Sequence, residues 1–203
     1  MIDHKKTSMS VSAATKNNDA PSVFLDVPRA TKQLLAAQDA ESRQTAARAL
    51  AAAVRIEKLP SRDAPRPLAE MLRGSDGEAE AAAYALRELA TCTYDNREWI
   101  VKAGAIPPLV ALLQKGTDLA RENAVGILRA LTHSGDKVST MISKAGAIPG
   151  LVDLLQTGTD LAKEKAVDVL TTLLWHEGSS VSAVKPGRFR PSSPASGMAP
   201  TTR

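Results

Sequence analysis

A 29-residue unit written twice constrains this chain more than any other feature. Residues 103–131 read AGAIPPLVALLQKGTDLARENAVGILRAL, and residues 145–173, exactly one 42-residue step later, read AGAIPGLVDLLQTGTDLAKEKAVDVLTTL, with 20 of the 29 positions identical. A period near 40 residues that carries two or three amphipathic helices describes a stacked array. One unit cannot bury its own apolar face and must lean on the next.

The unit's chemistry predicts three helices. Pro107 and Pro108 suit a first helical turn, where the missing amide hydrogen would have no partner in any case. Ile106, Leu109, Val110 and Leu113 follow at helical spacing. Gly116 is expected to end this helix in the left-handed conformation, and Thr117 or Asp118 to cap the next. That next helix carries Leu119, Ala124, Ile127, Leu128 and Leu131, repeated as Leu161, Ala166, Val169, Leu170 and Leu173. A shorter helix precedes each AGAIP, beginning near Asp95 and Asp136, with Asp95 and Glu98 spaced as a capping box.

The string NREWIVKAGAIPPLVALLQKGTDLARENAVGILRAL resembles an armadillo repeat. That resemblance implies an all-α, right-handed superhelical solenoid of three-helix repeats, whose third helices line a concave groove for extended peptides or partner proteins. It is clearest over about residues 95–175 and extends back to Pro67. Ala82, Leu86, Arg87 and Leu89 precede Ala124, Leu128, Arg129 and Leu131 by the same 42 positions, which marks an earlier repeat. Before it, AESRQTAARALAAA reads as the third helix of a degenerate opener with a polar outer face of Arg43, Gln44, Arg48 and Arg55. The expected organisation is a disordered segment over 1–22, an armadillo domain over 23–178 and a disordered basic tail over 179–203. Within the domain the opener covers about 23–59, and the repeats about 60–94, 95–134 and 136–177.

Composition narrows the function classes. Aromatic residues make up 3% of the chain and Cys92 is the single cysteine, so no disulfide joins two positions of this chain and a reducing, intracellular setting, cytoplasmic or nuclear, is expected. No apolar run approaches the roughly 18 residues of a membrane span, and MIDHKKTSMS lacks a signal core. The formal charge of +4 belongs to the ends: Lys185, Arg188, Arg190 and Arg203 are unopposed in the tail, while the body is near neutral. Nucleic acid is therefore an unfavoured partner. The three histidines and Cys92 have no metal-ligand spacing, and there is no phosphate loop, nucleophile elbow or convergent carboxylate pair. No enzyme, metal or cofactor is expected.

The groove is where the chain departs from its relatives. Members that take nuclear localisation signals carry a Trp on the third helix and an Asn four residues later. Here Tyr84, Gly126 and Asp168 stand at the Trp position, and Glu88, Ala130 and Thr172 at the Asn position. One turn earlier come Glu80, Glu122 and Glu164, so the stripe reads as acidic and opposed only by Arg48. The expected function is a non-catalytic scaffold or adaptor holding a protein or an extended peptide, with a basic segment the natural complement. The chain's own KPGRFRP, with Lys185, Arg188 and Arg190 around Phe189, is one such segment. The alternatives are the substrate-recognition part of a ubiquitin ligase system, since U-box ligases carry similar repeats, and nucleic-acid binding through basic tails.

Overall fold

The computed structural model describes residues 26–182, so the N-terminal segment and KPGRFRP lie outside the described residues. The described chain is ten α-helices with no strand. The opener is α1 (Val27–Ala36) and α2 (Ala40–Glu57). The next unit is α3 (Pro65–Met71) and α4 (Asp76–Cys92). Two complete three-helix repeats follow: α5 (Tyr94–Lys102), α6 (Ile106–Lys115) and α7 (Asp118–Thr132), then α8 (Asp136–Lys144), α9 (Ala147–Thr157) and α10 (Asp160–Ser182). Helix α10 continues four residues beyond the domain end drawn from the sequence at 178.

Third helices form the spine, with α2 against α4, α4 against α7 and α7 against α10. Leu50, Leu86, Leu89, Ile127, Leu128 and Leu131 on these helices are fully buried, as are Leu109 and Leu113 of α6. Each such side chain contributes roughly 1.5–3 kcal/mol by leaving water. Alanine fills the rest: Ala81, Ala82, Ala83 and Ala85 are all buried, which brings α4 close to both neighbours.

Where the second unit lacks a first helix, a polar network holds the connecting chain. Lys58 ends α2 in the left-handed region (φ 56°). The Ser61 amide then donates to Asn96 Oδ1 at 3.0 Å, Asn96 Nδ2 donates to the Leu89 carbonyl at 3.0 Å, and the Ser61 and Thr31 hydroxyls meet at 3.0 Å. Asn96 is wholly buried yet uses both ends of its amide, which offsets the cost of taking it out of water.

The helix starts and stops correct three sequence expectations. The cap of α5 is Thr93, whose hydroxyl accepts from the Asn96 amide, so Asp95 lies within the first turn and no capping box forms there. The capping box is instead at α4, between Ser75 and Glu78. Gly116 is extended (φ −78°, ψ 164°), not left-handed. Its missing side chain matters for space, because a Cβ would stand 2.7 Å from the Leu112 carbonyl oxygen, and one at Gly158 would stand 2.5 Å from that of Leu154. The glycines with positive φ are Gly135 (φ 113°), before α8, and those of AGAIP, Gly104 (φ 73°) and Gly146 (φ 81°), which turn the chain between first and second helices. Leu119 and Leu161, assigned to the core stripe, point outward and are 56% and 48% exposed.

Candidate functional site

The N-terminal ends of the third helices are built alike. Thr117 caps α7 by accepting from the Ala120 amide, and the same hydroxyl donates to Glu80 Oε1 on α4. One repeat later Thr159 accepts from the Ala162 amide and donates to Glu122 Oε2 at 2.9 Å. Two of the expected groove carboxylates thus tie successive repeats together. Glu164, at the corresponding place on α10, is exposed.

The rest of the stripe is an alternation of signs. Arg87 pairs with Glu88 at 3.0 Å, Lys165 approaches Glu122 at 3.7 Å, and Arg129 pairs with Asp168 at 2.8 Å. The face is therefore not an acidic strip opposed only by Arg48. Arg87 stacks on Tyr84, with its guanidinium carbon 5.3 Å from the ring centre, and donates to Asn123 Oδ1 at 2.9 Å. Burial holds the Lys165 ammonium below the ordinary lysine value, against the opposing pull of Glu122.

Each ladder position has a definite surrounding. Tyr84 is half-buried under Arg87. Gly126 lies between the stems of Arg87 and Lys165, whose Cδ atoms would stand 3.4 and 3.8 Å from a Cβ there. Asp168 is engaged with Arg129, Ala130 is half-buried, and the Thr172 hydroxyl donates back to the Asp168 carbonyl at 2.9 Å. Leu119, which the sequence pattern assigned to the core stripe, and Asn123 and Lys165, which it did not single out, complete the face. Leu119 was hidden by its apolar character, and the others by partners one repeat away.

A cavity of about 360 Å³ opens on this face, lined by Arg48, Glu80, Ala81, Tyr84, Leu119 and Asn123. Asn123 is fully buried, and its Nδ2 has no hydrogen-bond partner among the described residues. A larger cleft of about 960 Å³ lies between α1, the start of α2, α3 and the chain before α3, with Arg43, Arg62, Arg66, Asp63 and Glu70 on its walls. Among the described residues no group of three or more His, Cys, Asp or Glu is placed to hold a metal ion, and no single helix is long and apolar enough to cross a membrane.

With this geometry in place, the comparisons with known proteins are specific about class. Residues 93–133, which cover α5 to α7, match the model of the armadillo/beta-catenin-like repeat. The fold is similar to a designed armadillo repeat protein, at 21% identity over 72% of this chain and 64% of that one, with a TM-score of 0.61. It is similar also to computationally designed armadillo repeat proteins for modular peptide recognition, at 22% identity, 78% and 70% coverage and a TM-score of 0.64. A third similar structure is a designed armadillo repeat protein in complex with the peptide (KR)4, at 21% identity, 78% and 70% coverage and a TM-score of 0.62. The chain spans about two thirds of the length of these designed proteins. No curated protein sequence matches it. Residues 93–133 thus carry an armadillo-type repeat, and the described helices form an all-α armadillo solenoid.

Proposed function

We propose that this protein is a non-catalytic, intracellular scaffold that holds a partner protein or an extended peptide along the face formed by α2, α4, α7 and α10. The observation that carries this reading is the face itself. Four stacked helices present a continuous row of half-buried side chains around an open cavity, and the similar designed solenoid in complex with (KR)4 supports a peptide as occupant. A strongly basic peptide has less reason to bind here than the sequence alone suggests, because Glu88, Glu122 and Asp168 already have Arg87, Lys165 and Arg129 as neighbours. An attraction shared with an internal cation is weaker and more easily screened. A cytoplasmic or nuclear setting is part of the proposal, supported by the single Cys92.

The test is binding of randomised peptides to the full chain, set against a variant in which Ala130, on the middle of the face, becomes Arg. Peptide binding that Ala130→Arg abolishes, with the helical signal unchanged, supports the groove. Equal binding by both proteins places the peptide elsewhere and defeats the reading.

A further inference from the structure

The 42-residue step permits a direct comparison of two successive places on the face. Between α4 and α7 the wall position is Asn123, and between α7 and α10 its equivalent is Lys165. Asn123 is short, and beside it the cavity stays open. Lys165 is long. Its stem passes beside Gly126, its ammonium reaches Glu122, and its side chain is only 13% exposed, so it fills the corresponding space.

The lining of the open cavity is mostly carbon with a charge of each sign beside it. Ala81, Tyr84 and Leu119 supply carbon surface, while Arg48 and Glu80 supply charge. Leu119 leaves more than half of its surface in water at the wall of this space, a cost that a covering ligand would remove. The volume falls within the roughly 300–1,000 Å³ typical of small-ligand clefts, so a whole anchor residue fits. Asn123 adds a second and independent sign. Its Oδ1 is committed to Arg87, whereas its Nδ2 is buried and has no partner among the described residues, a condition that destabilises until an acceptor is supplied.

We propose that the cavity between α4 and α7 is a single anchor site for an apolar side chain, aliphatic or aromatic, of an extended peptide, and that the Asn123 amide donates to a carbonyl of that peptide. The inference rests on the groove reading given above. It differs from a repeated ladder, because recognition concentrates at one step of the solenoid and the next step is closed by Lys165. Arg48 and Glu80 then face the residues flanking the anchor and favour charged neighbours of either sign.

The test uses the full chain and a phage-displayed library of peptides about 12 residues long, randomised at every position. Selected peptides should share one apolar residue. Their affinity should fall about tenfold or more in Leu119→Ser, which withdraws carbon surface from an exposed position, and in Asn123→Lys, which introduces the plug of the next repeat. Leu119→Ser keeps the experiment decisive where Asn123→Lys fails to fold, since Leu119 is outside the core. Peptides that lose affinity in Ala130→Arg but are indifferent to Leu119→Ser overturn the anchor site and leave the groove standing. Selection of peptides whose only shared residues are Lys or Arg overturns the anchor in the same way. An absence of any binding peptide overturns both.

Discussion

The two copies of the 29-residue unit are nearly the same in sequence and quite different in burial. Val110 is 5% exposed and its counterpart Val152 is 44% exposed; Val125 is fully buried and Val167 is 51% exposed. Leu113 and Leu128 are fully buried, whereas Leu155 and Leu170 are only partly so. The first copy is covered by α8, α9 and α10, and the second has no later repeat among the described residues. Burial here is a property of place in the stack. An apolar stripe read from sequence states what a helix needs, and the neighbour decides whether the need is met. Even the polar links follow this rule: Arg121 donates to the Leu113 carbonyl and reaches Asp153 and Thr157 of the following repeat, while Lys163 occupies the same position in the last one.

Charge insertion should break the comparison most severely. Val125→Asp buries an uncompensated carboxylate and is expected to cost roughly 4 kcal/mol or more, a large part of the stability of so short a solenoid. Val167→Asp should remain within about 0.5 kcal/mol of the parent. Urea denaturation followed by circular dichroism measures both, and similar losses would show that the two faces are covered alike.

Truncation of the paired leucines tests the same difference more gently. Leu113→Ala should cost about 2–5 kcal/mol, because it opens a cavity between α6 and the helices packed on it. Leu155→Ala, at the equivalent position one repeat later, should lose only about 1 kcal/mol, since its side chain is already partly in water. Equal values for the pair would remove the asymmetry.

The cap hydroxyls give a smaller contrast. Thr117→Ala should destabilise by about 1 kcal/mol or somewhat more, and Thr159→Ala by less, because the Thr159–Glu122 link is exposed whereas the Thr117–Glu80 link is partly buried. A double-mutant cycle of Thr117 with Glu80 reads the link apart from the cap. Additive losses would show that the two groups do not cooperate.

The smallest effect is a pH dependence at the position where the copies differ, Asn123 against Lys165. The Lys165 ammonium is held below its ordinary value by burial, so the unfolded chain keeps this proton to higher pH than the folded one. Its contribution to stability therefore rises with pH from the folded value up to the ordinary lysine range, and below that window the burial cost is fully present. Lys165→Asn should remove this alkaline rise. Parallel stability–pH curves for parent and variant would contradict it.

The parts of the fold that are legible in the sequence depend on local chemistry or on the period. The Pro107–Pro108 pair, the AGAIP turns and the 42-residue recurrence of apolar residues each place a helix without knowledge of its neighbours. Gly116 misled because glycine after a helix has two uses, and here close approach to the Leu112 carbonyl prevails over left-handed backbone. Leu119 misled because it has the right residue type for the core on a helix start that faces outward. The charge pattern of the site was the least legible. Lys165 finds Glu122, and Arg129 finds Asp168, across roughly one full period, so a wheel drawn for one helix shows the acids without their partners. The open cavity depends on the length of Asn123 against that of Lys165, a difference that acquires meaning only when two repeats are laid side by side.

The hydroxyl shared between cap and carboxylate makes the start of one third helix depend on the body of the one before it. A threonine that donates its proton to Glu80 has its lone pairs turned toward the Ala120 amide, so the start of α7 is oriented by a residue of the preceding unit. Thr159 and Glu122 repeat the relation for α10. Each of these third helices therefore starts on a group that the unit before it supplies, so removal of Glu80 or Glu122 is expected to be felt at a cap one repeat away.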